Sequence, residues 1–376
     1  MCGIGGIINI NNSKIDPEIA KNIKTSLEHR GPDNSSIKHI SDSVSFVHTR
    51  LAIIDIDERS NQPFHSEDMR YWVVFNGEIY NYKEIRTELE AEGYKFKTSG
   101  DTEVLLKGFM HYKEKVLTKL RGQFAFAIYD TFTKETFLAR DRLGIKPLYF
   151  SKFGEWIVFG SEMKAIESSK LVPFSADTDS YLSYMRHLCV PGNSTGNKNI
   201  AKVKPGEYII FSAEGKVNSV KYWDPFSFEI NSEITHTEAK RKLEELLIES
   251  VEYRKISDVE VGLFLSGGLD SSLIGKLMKD NSTSKLHGFN IDYEEHFEGY
   301  SGEATEAGFA SSSLDINLIK EKIQYQDFKN LLNNYSHYQD DLNGDEVGIP
   351  LFFLGKAARS KGVTVVQVGE GADELF

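Results

Sequence analysis

The sequence predicts an α+β layered domain followed by an α/β domain with a parallel sheet. A length of 376 residues corresponds to two or three domains. Short apolar strands outnumber helices in the first part of the chain, whereas apolar strands alternate with helices in the last part. Between them, residues 224–236 are polar and lack clear periodicity, which is typical of a linker. We therefore expect domains at 1–223 and 237–376.

The elements of the first domain are predicted from apolar runs and from the turn residues between them. Strands are expected at 5–9, 44–49, 72–75, 124–129, 136–140, 148–151 and 156–160. Apolar spacing of three and four residues predicts helices at 17–28, 82–92 and 102–112. A hairpin around Glu214-Gly215, formed by 208–212 and 217–222, closes this domain.

The second domain is predicted to contain a parallel sheet covered on both faces, because fully apolar strands alternate with helices. A helix at 237–254 leads into a strand at 261–265 and a helix from about 271. The remaining predictions are strands at 286–291 and 363–368 and helices at 301–311 and 351–360.

Composition excludes several classes of protein. The formal net charge of -12 argues against nucleic-acid binding, and no apolar run approaches the length of a membrane span. The N-terminus lacks a basic segment followed by an apolar one, so no secretory signal is expected. Two cysteines, Cys2 and Cys189, are too few for a disulfide framework or a zinc site. We expect a cytoplasmic protein in which Cys189 is packed and unreactive.

Cys2 is the first candidate for catalysis. Removal of Met1 would place a thiol nucleophile and a free α-amine on the same residue. An α-amine titrates near pH ~8 and can act as a general base close to neutrality. A cysteine near a terminus is weak evidence by itself, so the residues downstream decide its interpretation.

Four clusters accompany Cys2, and each also has an ordinary structural explanation. They are His29-Arg30-Gly31-Pro32-Asp33 after a predicted helix, His48-Thr49-Arg50-Leu51 and Phe75-Asn76-Gly77-Glu78-Ile79-Tyr80-Asn81 at the ends of strands, and Ser99-Gly100-Asp101-Thr102-Glu103 before a helix. Arg-Gly-Pro-Asp is typical of a turn, and Asn76-Gly77 of a hairpin turn. Asp101 or Thr102 could be a helix cap.

In this order and spacing, together with 139–149 and 160–165, the clusters resemble the class II glutamine amidotransferase domain, an N-terminal-nucleophile hydrolase. The resemblance covers residues 2–222. It implies Cys2 as the nucleophile and an oxyanion hole formed by the Asn76 side chain and the Gly77 N–H. The implied glutamine contacts are Arg50 with the α-carboxylate, Asp101 and nearby Glu78 with the α-ammonium, and the backbone carbonyls of Leu51 and Ile53.

A glycine loop, Ser266-Gly267-Gly268-Leu269-Asp270-Ser271-Ser272, follows the strand at 261–265 and precedes a helix. Such a junction directs backbone N–H groups at one point and can bind an anion, although a flexible Ser/Gly turn is the alternative. The loop matches neither a Walker A motif nor a dinucleotide-binding turn. It resembles the pyrophosphate loop of the ATP-pyrophosphatase superfamily, which implies ATP as cosubstrate and Asp270 as a Mg²⁺ ligand.

A second acidic cluster, Gly369-Glu370-Gly371-Ala372-Asp373-Glu374, is expected at the same carboxyl edge of the sheet. The resemblance implies Asp373 as a further Mg²⁺ ligand and Glu370 as a base or orienting group near the ammonia. The implied ATP site comprises Leu265, Ser266, Gly267, Gly268, Asp270, Ser271, Ile291, Val368 and Gly369.

A glutaminase placed ahead of an adenylating domain is the arrangement of glutamine-dependent asparagine synthetases, which the chain resembles over nearly all of its length. The resemblance implies glutamine, ATP and a carboxylate acceptor as small-molecule partners. It also implies an amide, glutamate, AMP and pyrophosphate as products, with a homodimer as a candidate assembly. Neither nucleic acid nor membrane is expected as a partner.

Two departures leave alternatives open. Residues 340–350 lack the arginine that many asparagine synthetases carry there, so another acceptor such as a sugar uronic acid or a natural-product acid is an alternative to aspartate. The family also continues beyond the position of Phe376, so we expect the second domain to be truncated, and a glutaminase-only fragment is a further alternative.

Overall fold

The computed structural model describes residues 1–280, 285–293 and 303–373. The chain forms two compact units. The first contains Met1–Glu229 and Asp340–Gly344, and the second contains Ile230–Gln339 and Asp345–Phe376. In the described part of the chain, every helix is too short or too polar to cross a membrane.

The first unit is built on two six-stranded antiparallel sheets. Its elements are β1 (Gly3–Asn9), α1 (Pro17–Leu27), β2 (Asn34–Ser41), β3 (Val44–Arg50), β4 (Phe64–His65), β5 (Tyr71–Ile79), α2 (Tyr82–Ala91), α3 (Asp101–Tyr112), α4 (Val116–Lys119), β6 (Gly122–Asp130), β7 (Thr136–Arg140), β8 (Tyr149–Phe153), β9 (Trp156–Gly160), α5 (Met163–Ser168), α6 (Thr178–His187), β10 (Ala201–Lys202), β11 (Glu207–Phe211) and β12 (Val217–Lys221). One sheet has the order β10-β8-β9-β1-β3-β2, and the other has the order β12-β11-β7-β6-β5-β4.

The two sheets pack face to face. Side chains of both sheets, including Ile4, Phe46, Val74 and Ala127, form one buried cluster. The opposite face of the β1 sheet is covered by α1 and α5, which pack on the alternate residues of the strands. Since β1 is covered on both faces, all seven of its residues are buried. The predicted α+β layered sandwich is confirmed.

The second unit contains a parallel sheet with the strand order β15-β14-β13-β16. Its elements are α7 (His236–Tyr253), β13 (Val261–Phe264), α8 (Leu269–Asp280), β14 (His287–Tyr293), α9 (Glu303–Leu314), β15 (Asn317–Ile323), α10 (Tyr325–Leu332), α11 (Tyr335–Tyr338), α12 (Gly348–Ser360) and β16 (Val365–Gln367). Apolar side chains of α7, α8 and α9 pack with Leu263 and Leu265, whereas those of α12 pack with Phe289. The predicted parallel sheet is confirmed.

Several local predictions were wrong. Strand β5 does not end at residue 75 but continues to Ile79, because it pairs with β6 as far as Ile79↔Gly122. Asn76-Gly77 therefore lies inside a strand and forms no hairpin turn. Helix α8 begins at Leu269 rather than near 271. Cys189 is exposed rather than packed, because it follows the left-handed end of α6 at Leu188, where most side chains face solvent.

Candidate active sites

Cys2 lies directly before β1, beside the end of the neighbouring strand β3. The antiparallel register pairs Gly3 with Thr49, so the residues after β3 come close to Cys2. The Leu51 N–H donates to Cys2 Sγ at 3.4 Å, and Sγ lies 3.6 Å from the Leu51 carbonyl oxygen. The pairing of two strands thus brings Cys2 together with Arg50 and Leu51. Ile53 follows in the same half-buried segment.

The electrostatic setting of Cys2 favours the neutral thiol. Burial raises the pKa of the Cys2 thiol, more than the Leu51 N–H and nearby positive charges lower it. The terminal amine, here on Met1, has a pKa lowered to about 6, chiefly by burial. The Met1 amine is therefore largely neutral near pH ~7, and a neutral amine can accept a thiol proton. If Met1 were removed, the amine would belong to Cys2 itself.

The amide of Asn76 is a buried donor in β5. Asn76 is 1% exposed, and among the residues that the structure describes its Nδ2 atom has no hydrogen-bond partner. A buried unpaired donor costs about 1–3 kcal/mol, so this amide is free to pair with a ligand oxygen. At the next position, a Cβ on Gly77 would lie 2.1 Å from the Gln123 carbonyl oxygen of β6, so only glycine fits.

The guanidinium of Arg50 is buried and held by oxygen atoms of the segment after β3. Its Nη1 atom donates to the Asp57 carbonyl at 2.9 Å and to Asn61 Oδ1 at 2.7 Å, and its Nη2 atom donates to the Asp55 carbonyl. These carbonyl oxygens hold the guanidinium in one orientation. Because they are neutral, they do not balance its positive charge. Such a group suits a carboxylate ligand.

Asp101 begins α3 and is 6% exposed. Its Oδ2 atom accepts a hydrogen bond from the Ile79 N–H at 3.0 Å, which places it beside the end of β5. Burial raises the pKa of Asp101 to about 7, and the charge of Glu78 adds to this effect. A cationic ligand would favour the charged form of such a carboxylate.

An ion-pair network that sequence reasoning did not assign holds the backbone of Cys2. The Nε atom of Arg30 donates to the Cys2 carbonyl at 2.9 Å, and its Nη1 atom donates to Glu162 Oε1 at 2.6 Å. His29 Nε2 lies 3.1 Å from the same oxygen. Burial alone would raise the pKa of Glu162, but the contacts with His29 and Arg30 lower it to about 2. The signal in the sequence was the cluster Gly160-Ser161-Glu162.

The glycine loop of the second unit connects β13 to α8. Ser266 Oγ and Ser271 Oγ lie 2.9 Å apart, and the Gly268 carbonyl accepts from the Ser272 N–H at 3.1 Å. Gly267 has a φ of +89°, and a Cβ there would lie 2.4 Å from the Ala307 nitrogen. Glycine is therefore required at this position, and the loop brings backbone and hydroxyl groups to the start of α8.

The other predicted residues of this site lie at the carboxyl edge of the sheet. Leu265 is buried and donates its N–H to the Phe289 carbonyl at 2.9 Å. A Cβ on Gly369 would lie 2.9 Å from the Ser271 nitrogen and 3.1 Å from Asp270 Cβ, so the loop after β16 contacts the first turn of α8. The remaining predicted residues are Ile291, which lies in β14, and Val368, Glu370 and Asp373, which are exposed after β16.

Within the described ranges, no group of three or more His, Cys, Asp or Glu side chains could hold a metal ion. Asp270 and Asp373 carry carboxylates, the group through which magnesium binds in ATP enzymes together with the phosphates. The contact of Gly369 with Asp270 brings the loop that carries Asp373 to the same region.

Comparison with known proteins identifies both halves of the chain. The family profile described as a glutamine amidotransferase domain matches residues 1–223, and the profile described as asparagine synthase matches residues 242–376. Asparagine synthetase (glutamine-hydrolysing) 1 of Bacillus subtilis is 38% identical over 382 residues, which cover 100% of this chain and 58% of that protein.

Two further proteins are similar over much of the chain. A Methanocaldococcus jannaschii protein, provisionally named asparagine synthetase (glutamine-hydrolysing) 2, is 33% identical over 403 residues, covering 100% of this chain and 75% of its own length. Among solved structures, glutamine phosphoribosylpyrophosphate amidotransferase from B. subtilis has a TM-score of 0.44 and 20% identity, over 85% of this chain and 65% of its own. The family profiles and the sequence relatives show that the chain belongs to the family of glutamine-hydrolysing asparagine synthetases.

Proposed function

We propose that the protein hydrolyses glutamine at Cys2 and uses the ammonia to amidate an ATP-activated carboxylate, converting aspartate to asparagine. The observation that carries the glutaminase proposal is the buried, unpartnered Nδ2 of Asn76 in the described part of the chain. The strand that carries Asn76 also contacts β3, because His48 Nε2 donates to the Phe75 carbonyl at 3.3 Å. Leu51, the residue after β3, donates its N–H to Cys2 Sγ.

The residues of the first unit support a covalent mechanism. The amine of processed Cys2 takes the thiol proton, and the thiolate attacks the amide carbon of glutamine. Asn76 Nδ2 and the Gly77 N–H stabilise the oxyanion, while Arg50 and Asp101 with Glu78 bind the α-carboxylate and α-ammonium. Proton return releases ammonia and leaves a thioester, which water hydrolyses to glutamate.

The second unit supports adenylation. The acceptor carboxylate attacks the α-phosphate of ATP and displaces pyrophosphate, which the loop from Ser266 to Ser271 would bind. Ammonia then attacks the acyl-adenylate and displaces AMP. We propose Asp270 and Asp373 as Mg²⁺ ligands, Glu370 as the group beside the ammonia, and Leu265, Ile291, Val368 and Gly369 as the lining of the nucleotide pocket. Bound Mg²⁺ would neutralise charge on the phosphates.

The chain spans 58% of the length of its B. subtilis relative, so activity, acceptor and partners are proposals. We propose domain limits at 1–223 and 237–376, with a linker at 224–236. From the composition and the N-terminal sequence we also propose a cytoplasmic location, and from the resemblance a homodimer. Aspartate is the acceptor that the names of the relatives support.

Product analysis tests the proposed function. The protein is incubated with glutamine and Mg-ATP, together with aspartate, a sugar uronic acid or no acid. When aspartate is the added acid, we expect asparagine, AMP and pyrophosphate to form in equal amounts. Glutamate should form whenever glutamine is hydrolysed. If AMP forms in the reaction with the uronic acid but not in the reaction with aspartate, aspartate is not the acceptor. Glutamate without AMP under all conditions would contradict the synthetase proposal.

A further inference from the structure

The edge of β5 facing away from β6 is only partly paired. Strand β4 pairs with β5 at Phe64↔Val73 and His65↔Trp72, and among the described strands β4 is the neighbour of β5 on this side. Continuing this antiparallel register would place Gln62 opposite Phe75. The backbone of Phe75, which directly precedes Asn76, therefore lies where the strand pairing has stopped.

The side chain of Gln62 takes the place of a strand at this position. The Phe75 N–H donates to Gln62 Oε1 at 2.6 Å, and Gln62 Nε2 donates to the Phe75 carbonyl at 3.2 Å. This exchange of two hydrogen bonds is the pattern of a bonded antiparallel pair. Gln62 Nε2 also lies 3.3 Å from Thr102 Oγ1, next to Asp101. Gln62 is 6% exposed, so water does not replace these contacts freely.

The preceding residue contacts the other half of the glutamine site. Asn61 Oδ1 accepts a hydrogen bond from Arg50 Nη1 at 2.7 Å, and the Asn61 N–H donates to the Glu58 carbonyl at 2.9 Å. Asn61 is held in place by the 3-10 turn Glu58–Ser60. Two consecutive side chains thus contact the carboxylate-binding arginine and the strand of the oxyanion hole.

We infer that Asn61 and Gln62 form a positioning pair, in which Asn61 orients the Arg50 guanidinium and Gln62 fixes β5 where it presents Asn76. The inference rests on the proposed glutaminase function and assigns residues to it that the sequence did not reveal. Both are positioning residues, because each acts through another side chain or through the backbone.

The two residues should have different kinetic effects. Arg50 holds the substrate carboxylate equally in the ground state and the transition state, so Asn61→Ala should raise KM for glutamine about tenfold and leave kcat within about twofold. The oxyanion forms only in the transition state. Gln62→Met should therefore lower kcat about 10-fold to 100-fold with little change in KM. Gln62→Glu keeps the acceptor but loses the donor to Phe75, and should show the same split.

Asn197→Ala is the matched control in the same unit. Asn197 is fully buried and its Oδ1 accepts from the Ser175 and Asn199 N–H groups, so the variant also loses a buried loop-holding amide. It should leave kcat and KM for glutamine within about twofold, and fluorescence-monitored unfolding of all variants reports whether they fold. If Gln62→Met does not fold, Gln62→Glu provides the test.

The positioning pair would be overturned if Asn61→Ala and Gln62→Glu had equal effects on KM and kcat. It would also be overturned if both variants had kinetics like those of Asn197→Ala. Either result, obtained with an active wild type, leaves the proposed glutaminase function intact. A wild-type protein without glutaminase activity would instead refute the proposed function, and the inference with it.

Discussion

Glu162 should stabilise the first unit only while it is charged, and Glu162→Gln tests this. The carboxylate is 4% exposed and contacts His29, Arg30 and Lys164, whose Nζ atom lies 3.0 Å from Glu162 Oε2. Substitution by glutamine removes the charge while keeping the shape. Arg30 would then remain buried without its ionic partner, although it still donates to the Cys2 carbonyl.

The magnitude follows from the pKa of Glu162. Against the opposing effect of burial, His29 and Arg30 lower this pKa from 4.5 to about 2. At about 1.4 kcal/mol per pKa unit, the difference corresponds to about 3 kcal/mol. Because the pKa is lower in the folded protein, this stabilisation is fully present above pH 4.5 and is lost as the pH falls towards about 2. Neighbouring Asp340 has a pKa raised to about 6, mainly by burial. Its contribution to the free energy of unfolding therefore has the opposite sign and is smaller than that of Glu162.

Urea unfolding of the wild type and Glu162→Gln at several pH values is the assay. Tryptophan fluorescence reports the first unit, because all three tryptophans, Trp72, Trp156 and Trp223, belong to it. The free energy of unfolding should differ by about 3 kcal/mol near pH ~7 and by less than about 1 kcal/mol near pH ~2.5. A difference that does not change with pH would refute the reasoning.

Two further predictions concern the two substrates. Because burial raises the pKa of Asp101 to about 7, its carboxylate becomes neutral as the pH falls through this value and loses its attraction for the α-ammonium. In the wild type, we expect kcat/KM for glutamine to decrease as the pH is lowered through about 7. In Asp101→Asn, kcat/KM should be low at every pH and show no such decrease; a pH profile like that of the wild type would contradict the assignment. Asp270→Asn should weaken Mg-ATP binding about tenfold or more in calorimetry while glutamine hydrolysis stays within about twofold; equal ATP affinity would count against Asp270 as a ligand.

Local sequence patterns predicted most of the strands that carry the sites. The apolar run in β9 and the alternation of strands and helices after residue 236 predicted β9, β13, β14 and β16, because burial on both faces of a sheet demands apolar residues. They did not predict β15. The pairing of β1 with β3 then explains why distant clusters meet at Cys2.

The errors arose where one residue type serves two purposes. Gly77 is required by the close approach of β6, but a glycine in a strand and a glycine in a hairpin turn look alike in sequence. The contacts of Asp340 were not predicted either: it belongs to the first unit and accepts from the N–H groups of Met163 and Lys164. A contact across 176 residues leaves no periodic signal.

Glutamine hydrolysis by Cys2→Ala, compared with the wild type and with Cys189→Ala, tests the central claim most directly. Cys189 is exposed and is the only other cysteine in the sequence, so it controls for the general loss of a thiol. We predict that the wild type and Cys189→Ala form glutamate and are labelled by a glutamine-analogue electrophile, whereas Cys2→Ala does neither. The mass of the active protein should show that Met1 has been removed. Retained glutamate formation by Cys2→Ala would contradict the assignment of Cys2 as the nucleophile.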